Sequence, residues 1–262
     1  MTIGEPLHTF DHPMTPNIDP SLFDGHDTAR FWIGKTALFN VIENPEMYAA
    51  SLVLRARVYV HEMKFLPPTA LTVSGHESDI DDDRSVHFAV AEQSRDGKEA
   101  RVTGTARMIV KRDSEDLLPV EENFPEIFAE NPIETDCLEV SRFISRHEDR
   151  YLQHVVSLSL IRAMTHFSLK NDVPKVYFEI EEEFWDLLSM IGLPMKKVGD
   201  LKPIDEYGGT HNMAVEIDPQ EIMDAVTQDK TGTLLLTQFF RSEGPNEGLG
   251  YYKTSLIGGG NV

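Results

Sequence analysis

The residues best placed to do chemistry are charged side chains that interrupt otherwise apolar stretches. Arg55 and Arg57 stand in VLRARVYV, Arg107 stands in TGTARMIV, and Glu139 and Arg142 stand in LEVSRFI. A charge inside a buried element costs several kcal/mol unless an opposite charge compensates it. These residues therefore form either salt bridges that position the elements or a charged active-site cluster, and their spacing alone favours neither.

Alternation along a strand divides the charges of LEVSRFI between two faces. Successive side chains point to opposite sides, which puts Glu139 and Ser141 on one face and Arg142 on the other. Each charge is then expected to need a partner of its own. Other acidic residues are concentrated in short clusters at 79–83, 115–126 and 179–183, a pattern typical of a solvated surface.

The sequence contains no common motif for metal ions or phosphate groups, and nothing in it points to a hydrolytic triad. The acidic stretch DIDDDR (79–84) begins like a calcium loop, but Arg84 and Val90 stand where the sixth and twelfth positions require Gly and Glu. The single cysteine, Cys137, excludes an intramolecular disulfide and a Cys-rich zinc site. Its apolar surroundings indicate a small buried side chain. We therefore expect no metal site.

Composition and charge indicate a soluble globular protein. The chain has 262 residues, 40% of them hydrophobic, and a formal net charge of −20. Such a charge repels nucleic acid and anionic membrane surfaces. No apolar run approaches the roughly 20 residues that a membrane helix needs, and the N-terminus lacks the features of a signal peptide. We expect a cytoplasmic protein with no membrane span and no nucleic-acid partner.

Hydrophobic periodicity and breaker residues predict an α/β fold. Strands are predicted at residues 35–43, 86–93, 100–111, 137–145, 174–181, 196–198 and 212–217, and helices at 45–63, 151–171, 182–192 and 219–227, with an irregular acidic stretch at 112–136. This order implies an α/β/α architecture, a mixed, mostly antiparallel central sheet with helices on both faces. A loosely ordered arm (1–34) precedes one main domain (35–218), and a C-terminal helix with a mobile tail (219–262) follows.

Five motifs in order resemble those of the autoinducer synthases (N-acyl-homoserine lactone synthases) and N-acyl amino acid synthases, bacterial-type acyltransferases with the acetyltransferase-like (GNAT) fold. They are LRARVYVHEMKF (54–65), HESDIDDD (76–83), VTGTARMI (102–109), LLPVEENFPEIF (117–128) and LEVSRFIS (138–145). The resemblance covers residues 35–218 and makes that segment the acyltransferase domain. The sequence differs from the autoinducer synthases at two aromatic positions. Tyr59 stands where they have Phe, and Phe65 stands where they have Trp.

The resemblance implies transfer of an acyl group from a thioester to an amine. It makes Glu139 the candidate base or water-orienting residue, and the backbone N–H groups of residues 140–143 the candidate oxyanion donors. The acidic loop would either hold a cationic acceptor or pair with Arg55 and Arg107. The implied catalytic residues are Glu139, Ser141, Arg142, Arg55 and Arg107, and the implied substrate-binding residues are Glu77, Asp79, Asp82, Phe65, Tyr59 and Phe143.

Three functions stay open at this point. The chain makes an N-acyl-homoserine lactone from S-adenosylmethionine, makes an N-acyl amino acid, or is a catalytically silent acyl-binding or regulatory module. The full set of charged residues argues against the silent module. The resemblance implies no tightly bound cofactor, an acyl carrier protein or acyl-CoA as acyl donor, and a small-molecule amine as acceptor.

A basic patch is expected where the acyl donor enters. The turn SRHEDRY (145–151) lacks the glycines of CoA-binding acetyltransferases, which favours acyl carrier protein over acyl-CoA as the donor. Acyl carrier protein is acidic at the family level, so a net charge of −20 opposes its approach unless a local patch attracts it. The candidate patch consists of Lys170, Lys175, Lys196, Lys197, Arg146 and Arg150.

Overall fold

The computed structural model describes residues 28–31, 34–40, 45–93, 100–230, 236–237 and 240. This part of the chain forms a nine-stranded sheet covered by α-helices. The strands are β1 (Thr28–Phe31), β2 (Gly34–Asn40), β3 (Ser85–Gln93), β4 (Ala100–Val110), β5 (Leu138–Ser145), β6 (Val176–Ile180), β7 (Lys196–Lys197), β8 (Lys202–Ile204) and β9 (Thr210–Ile217). The helices are α1 (Pro45–Arg55), α2 (Pro119–Asn123), α3 (Pro125–Phe128), α4 (Arg150–Lys170), α5 (Glu182–Met190) and α6 (Pro219–Gln228).

The sheet has the order β1-β2-β3-β4-β5-β6-β9-β7, and β8 adds to β9. Neighbouring strands run antiparallel except β5 and β6, which are parallel. A parallel pair cannot be joined by a tight hairpin and needs a crossover, which α4 supplies between these two strands. The prediction of a mixed, mostly antiparallel sheet is confirmed.

Helices cover both faces of the sheet because strand alternation sends apolar side chains to both. On one face, α4, α5 and α6 pack on a cluster that includes Phe88, Met108 and Phe178. On the other face, α1 contributes Leu54 to a second cluster, and α2 contributes Val120 to a third. Burying one such side chain contributes about 1.5–3 kcal/mol. The predicted α/β/α arrangement is confirmed, and none of the described helices has the length and apolar character that crossing a membrane needs.

Two segments outside the predicted main domain join its sheet and core. Residues 28–31, which fall in the predicted arm, pair with β2. Helix α6 belongs to the predicted C-terminal segment, yet it buries Ile222 and Val226 in the same cluster as α4. We therefore place both elements in the main domain. The rest of the arm (1–27) and of the tail (241–262) lies outside the described residues.

Helices α2 and α3 form where the sequence predicts an irregular acidic stretch. Each begins at a proline, Pro119 or Pro125, whose fixed φ suits the first helical position. Only their inner sides are apolar, with Val120, Phe124 and Phe128 buried. The two helices are too short for a helical period to emerge from the surrounding acidic residues, and for this reason periodicity does not detect them.

Strand β5 carries an extra residue that breaks the alternation of its side chains. Its pairing with β4 shifts by one residue between Ser141 and Ile144. Arg142, inside this bulge, has a left-handed φ of 54°. The bulge turns Arg142 toward Asp79, which also binds Arg107. The prediction that Arg142 lies on the face opposite Ser141 is therefore wrong, since Ser141 contacts that same Arg107.

Strands β5 and β6 separate partway along their length. Their parallel ladder runs from Leu138 and Val176 to Val140 and Phe178, and it ends there. Strand β6 stays paired with β9 from Val176 to Ile180. The separation therefore opens the sheet beside residues 141–145 of β5.

The segment that follows α1 continues as a π-helix over Ala56–Glu62. Its hydrogen bonds reach back five residues, as from the N–H of Met63 to the carbonyl of Val58 at 2.8 Å. The helix predicted over 45–63 is thus confirmed in extent, but its last turns are wider than α-helical ones. Such wide turns occur often at functional sites, and Tyr59 lies in this one.

Candidate active site

Six charged side chains form a closed ring in which positive and negative groups alternate. The ring runs Arg142, Glu77, Arg55, Asp82, Arg107 and Asp79, and returns to Arg142. Every carboxylate accepts hydrogen bonds from two arginines, and every arginine donates to two carboxylates. The ring is electrically balanced, and it ties α1, the loop before β3, β4 and β5 together.

The contacts within the ring are direct and mostly buried. Arg55 donates to both oxygens of Asp82, at 2.7 and 3.1 Å, and to Glu77. Arg107 donates to Asp82 at 2.9 Å and also to Asp79. Arg55 and Arg107 are only 1% and 2% exposed. Two-pronged arginine–carboxylate bonds are among the stronger hydrogen bonds in proteins, and they fix orientation as well as distance.

Two carboxylates of the ring, Asp79 and Asp82, stay ionised at neutral pH. Burial alone would raise the pKa of Asp82, but its hydrogen bond to Arg55 and the charges of Arg55 and Arg107 hold that pKa well below its usual range. Burial alone would also raise the pKa of Asp79. The hydrogen bond from Arg107 and the charges of Arg107 and Arg142 lower it below its usual value instead. His87 adds no charge nearby, because burial lowers its pKa to about 4.

The acidic loop that the sequence singled out therefore pairs with arginines. Of the two roles left open for it, holding a cationic acceptor or pairing, the structure gives the second to Glu77 and Asp82, which are buried. Arg57, only two positions from Arg55, behaves differently. Its side chain is half exposed and binds Glu62 at 2.6 Å.

A cavity of about 350 Å³ opens where β5 and β6 separate. Its apolar side lies on the face covered by α4 and α5 and includes Val140, Phe178, Ile180, Phe184 and Leu187. Its polar side lies on the face covered by α2 and includes Glu139, Ser141, Glu179, Thr210 and Asn212. The cavity thus crosses the sheet and offers chemically different surroundings on its two sides.

Arg142 connects the charged ring to the cavity. It is the ring residue found in the cavity lining, and it donates to Asp79 at 2.7 Å and to Glu77 at 3.1 Å. Its guanidinium also lies 5.6 Å from the centre of the Tyr59 ring, close enough for a cation–π contact. The ring therefore acts on the cavity by fixing β5 and Tyr59, while its other five members lie behind the wall.

Glu139 lies in the polar wall of the cavity and is 1% exposed. Its Oε2 atom accepts a hydrogen bond from the backbone N–H of Val120 at 2.9 Å. Burial raises the pKa of Glu139 well above its usual range, and the negative charge of Glu179 adds to the rise. A carboxylate with a raised pKa accepts protons more readily near neutral pH. The environment of Glu139 therefore fits a base.

Three aromatic residues expected at a substrate site, Tyr59, Phe65 and Phe143, all line the cavity. The Tyr59 hydroxyl donates a hydrogen bond to the Phe143 carbonyl at 3.2 Å, and its ring lies 6.4 Å from that of Phe65. The ring of Phe143 lies 5.4 Å from that of Phe184 on α5. Burial raises the pKa of Tyr59 to about 12, so its hydroxyl stays a neutral donor.

Sequence reasoning missed the part of the polar wall that β6 and β9 supply. Glu179 lies there, and the side-chain amide of Asn123 donates to it at 3.1 Å. The signal was available, because Glu179 interrupts VYFEI just as Glu139 interrupts its own strand. Thr210 and Asn212 gave no such signal, since polar residues at the start of a strand are common.

The structure does not bring the predicted lysine patch to the cavity. The described residues that line the cavity do not include Lys170, Lys175, Lys196 or Lys197. Lys175 and Lys196 instead bind Glu216 on β9, at 2.7 and 3.4 Å. Arg146 does line the cavity, and it contacts Glu62 at 3.3 Å. Positive charge near the cavity therefore comes from arginine.

Cys137 and the acidic clusters offer no alternative chemistry in the described part of the chain. Burial raises the pKa of the Cys137 thiol to about 11, which leaves little of the reactive thiolate at neutral pH. Within the described ranges, no group of three or more His, Cys, Asp and Glu side chains is arranged to hold a metal ion.

The fold is found in known acyltransferases. Residues 54–159 match the acetyltransferase (GNAT) domain family. Comparison with curated protein sequences gives no match. The solved structure of BjaI, a CoA-dependent acyl-homoserine lactone synthase with SAM and isopentyl-CoA, is 18% identical, with a TM-score of 0.56 over 81% of this chain and 94% of that one.

Two further solved structures represent the two kinds of synthase that the motifs resemble. The AHL synthase LasI is 18% identical, with a TM-score of 0.53 over 74% of this chain and 91% of that one. FeeM, an N-acyl amino acid synthase from uncultured soil microbes, is 16% identical, with a TM-score of 0.53 over 79% of this chain and 98% of that one. The chain has the acetyltransferase-like fold that its motifs predict.

The ring predicts a large difference between two arginines of one helical segment. Arg55→Ala should lower the free energy of unfolding by about 3–5 kcal/mol, because it leaves the three carboxylates of the ring with only two arginines. Arg57→Ala should change it by less than about 0.5 kcal/mol, since that side chain is half exposed. Urea unfolding of both variants checks this, and equal losses would show that the ring does not stabilise the fold.

Proposed function

We propose that this chain is an N-acyltransferase that moves a fatty acyl group from a thioester to an amine. The observation that carries the proposal is the cavity through the sheet, which has an apolar side toward α4 and α5 and an acid–base group, Glu139, on its polar side. A reaction between an acyl thioester and a charged amine needs such a division. The fold shared with acyl-homoserine lactone synthases and an N-acyl amino acid synthase supports it.

The reaction requires one proton transfer before the bond forms. Glu139 takes a proton from the acceptor's ammonium group, directly or through water, which frees the nitrogen lone pair. The nitrogen then attacks the thioester carbon, a C–N bond forms and the C–S bond breaks. The thiolate takes up the proton that the attacking nitrogen loses, so the products are an amide and a thiol, and the first proton stays on Glu139. Backbone N–H groups of residues 140–143 are our candidates for stabilising the tetrahedral oxyanion.

Two acceptors fit this chemistry. We favour S-adenosylmethionine, because the ordered motifs of the chain are those of autoinducer synthases. A lactone product then needs one more step, in which the acceptor's carboxylate displaces its sulfonium group. An amino acid is the second candidate, since Phe65, which lines the cavity next to Tyr59, replaces the tryptophan of the autoinducer synthases. A silent acyl-binding module is the weakest alternative, because it has no use for a buried base.

The products identify the acceptor. Mass spectrometry of lipid extracts from a bacterial host that expresses the chain should reveal an acylated lactone, absent from a host that expresses Glu139→Gln. An acyl amino acid instead would establish the second candidate. No new lipid in the host, together with no amide from the purified protein given acyl-CoA, acyl carrier protein, S-adenosylmethionine and amino acids, would contradict the proposed function.

Substitution of Glu139 separates its chemical role from its structural role. Glu139→Gln should lower turnover at least about a hundredfold, as expected for loss of a general base. Its stability should not fall, because glutamine keeps an acceptor for the Val120 N–H. A raised folded-state pKa means that Glu139 stabilises the fold below its unfolded pKa and loses this contribution as the pH rises through the folded pKa.

Relative to the wild type, the melting temperature of Glu139→Gln should therefore increase as the pH rises above the unfolded-state pKa of glutamate, about 4.3. Glu122→Gln, on the exposed side of α2, is the matched control and should change neither turnover nor the pH dependence of stability. Wild-type turnover in a folded Glu139→Gln protein would remove Glu139 from the mechanism.

The carrier of the acyl group is tested through Arg146. Arg146 lines the cavity, so Arg146→Glu should raise the donor KM about tenfold and leave the acceptor KM unchanged. Lys196→Glu is the control, because Lys196 lies on β7 opposite Glu216 of β9 and does not line the cavity. Exposed charges are screened over about 8–10 Å at physiological salt, so added salt should raise the donor KM of the wild type. Acyl-CoA and acyl carrier protein are compared as donors at equal acyl length. A donor KM that changes neither with salt nor with Arg146→Glu would exclude a recognition role for this arginine.

A further inference from the structure

The register of two neighbouring strands places a second carboxylate next to Glu139. In the parallel pair of β5 and β6, Glu139 lies opposite Tyr177, and Val140 lies opposite Phe178. Glu179 follows on the same face as Tyr177, at the first position beyond the end of the ladder. It therefore stands where the strands begin to separate and the cavity opens, on the same side of the sheet as Glu139.

One short helix holds both carboxylates in place. The backbone N–H of Val120, near the start of α2, donates to Glu139. The side-chain amide of Asn123, the last residue of the same helix, donates to Glu179. The Val120 N–H and the Asn123 amide are electrically neutral, unlike the arginines of the charged ring. A neutral donor orients a carboxylate without cancelling its charge. The two negative charges consequently act on each other, and the pKa of Glu139 is raised by burial and, next in size, by Glu179.

The arginines that line the cavity are engaged by carboxylates outside its polar wall. Arg142 donates to Glu77 and Asp79, and Arg146 contacts Glu62. The polar wall meanwhile carries Glu139 and Glu179. These two carboxylates favour an acceptor with a net positive charge. They attract a zwitterion less, because its own carboxylate cancels the charge of its ammonium group.

We propose that Glu179 is the positioning residue of the acceptor site: its carboxylate accepts a hydrogen bond from the acceptor's ammonium group, holds it beside Glu139, and selects amines with net positive charge. This inference rests on the proposed function, since it assigns the acceptor to the polar side of the same cavity. Glu139 remains the group that takes the proton. Glu179 acts through the position of the nitrogen and through the charge that it places next to Glu139.

The test compares acceptors that differ only in charge. S-adenosylmethionine is tested beside a panel in which each amino acid is paired with its methyl ester, which keeps the side chain and the amine but has a net positive charge. The wild type should use the charged members at least about tenfold better in kcat/KM. Glu179→Gln should raise the KM of the charged acceptors about tenfold to a hundredfold, the effect of one charge-assisted hydrogen bond. It should leave the KM of the acyl donor unchanged.

The pH profile provides a readout that loss of packing would not move. The groups that act on Glu139 are Glu179 on β6, Asp81 in the acidic loop, Arg107 on β4 and the Val120 N–H on α2. Removal of the Glu179 charge should shift the acidic limb of kcat/KM to lower pH. Glu179→Asp, which keeps the charge, should keep the limb near its wild-type position, and Glu182→Gln, on the exposed start of α5, should match the wild type throughout.

The outcomes separate this inference from the proposed function. If the wild type forms no amide with any donor and acceptor, the proposed function fails and the role of Glu179 fails with it. If the wild type forms an amide and Glu179→Gln equals Glu182→Gln in acceptor KM and in pH profile, only the role of Glu179 fails. Circular dichroism establishes that the variants are folded, and a wild type that prefers the uncharged amino acids over their esters overturns the charge selection.

Discussion

The structure depends on the balance of three positive and three negative side chains in one closed ring. Taking a single charge out of water costs more than most packing contributes, so none of the six is tolerable alone. Together they join segments that are far apart in sequence, from α1 to β5. The loop at residues 76–84 has little apolar surface of its own, and it is held against the sheet by these charges.

The ring also explains why the sheet opens where it does. The bulge in β5 brings Arg142 into the ring, and the ladder to β6 ends two residues earlier, after Val140. Hydrogen bonds lost by this separation are offset by the ionic contacts on the other side of β5. A cavity between two strands would otherwise be an unstable defect. Here the charged ring anchors the bulged part of β5 beside the cavity.

Much of this arrangement could be predicted from the sequence, because its signals are local. Charges inside an apolar helix and apolar strands identified Arg55, Arg107 and Glu139, and periodicity identified the long helix α4. The side of β5 that Arg142 faces was not predictable, since a bulge is set by tertiary contacts and leaves no period in the sequence. The acidic loop was expected either to face a substrate or to pair with arginine, and only the fold decides between these, because the partners lie at least 22 positions away.

The π-helical segment at Ala56–Glu62 has a consequence for how the chain tolerates length changes. A π-turn holds about one residue more than an α-turn, so such a segment is equivalent to an inserted residue that the helix has absorbed. Deletion of one residue would restore ordinary α-helical bonding at little local cost. It would also rotate every later side chain of the segment by about 100°. Tyr59 would then leave the cavity and its contact with Arg142, so the wide turns of this segment set the geometry of the cavity.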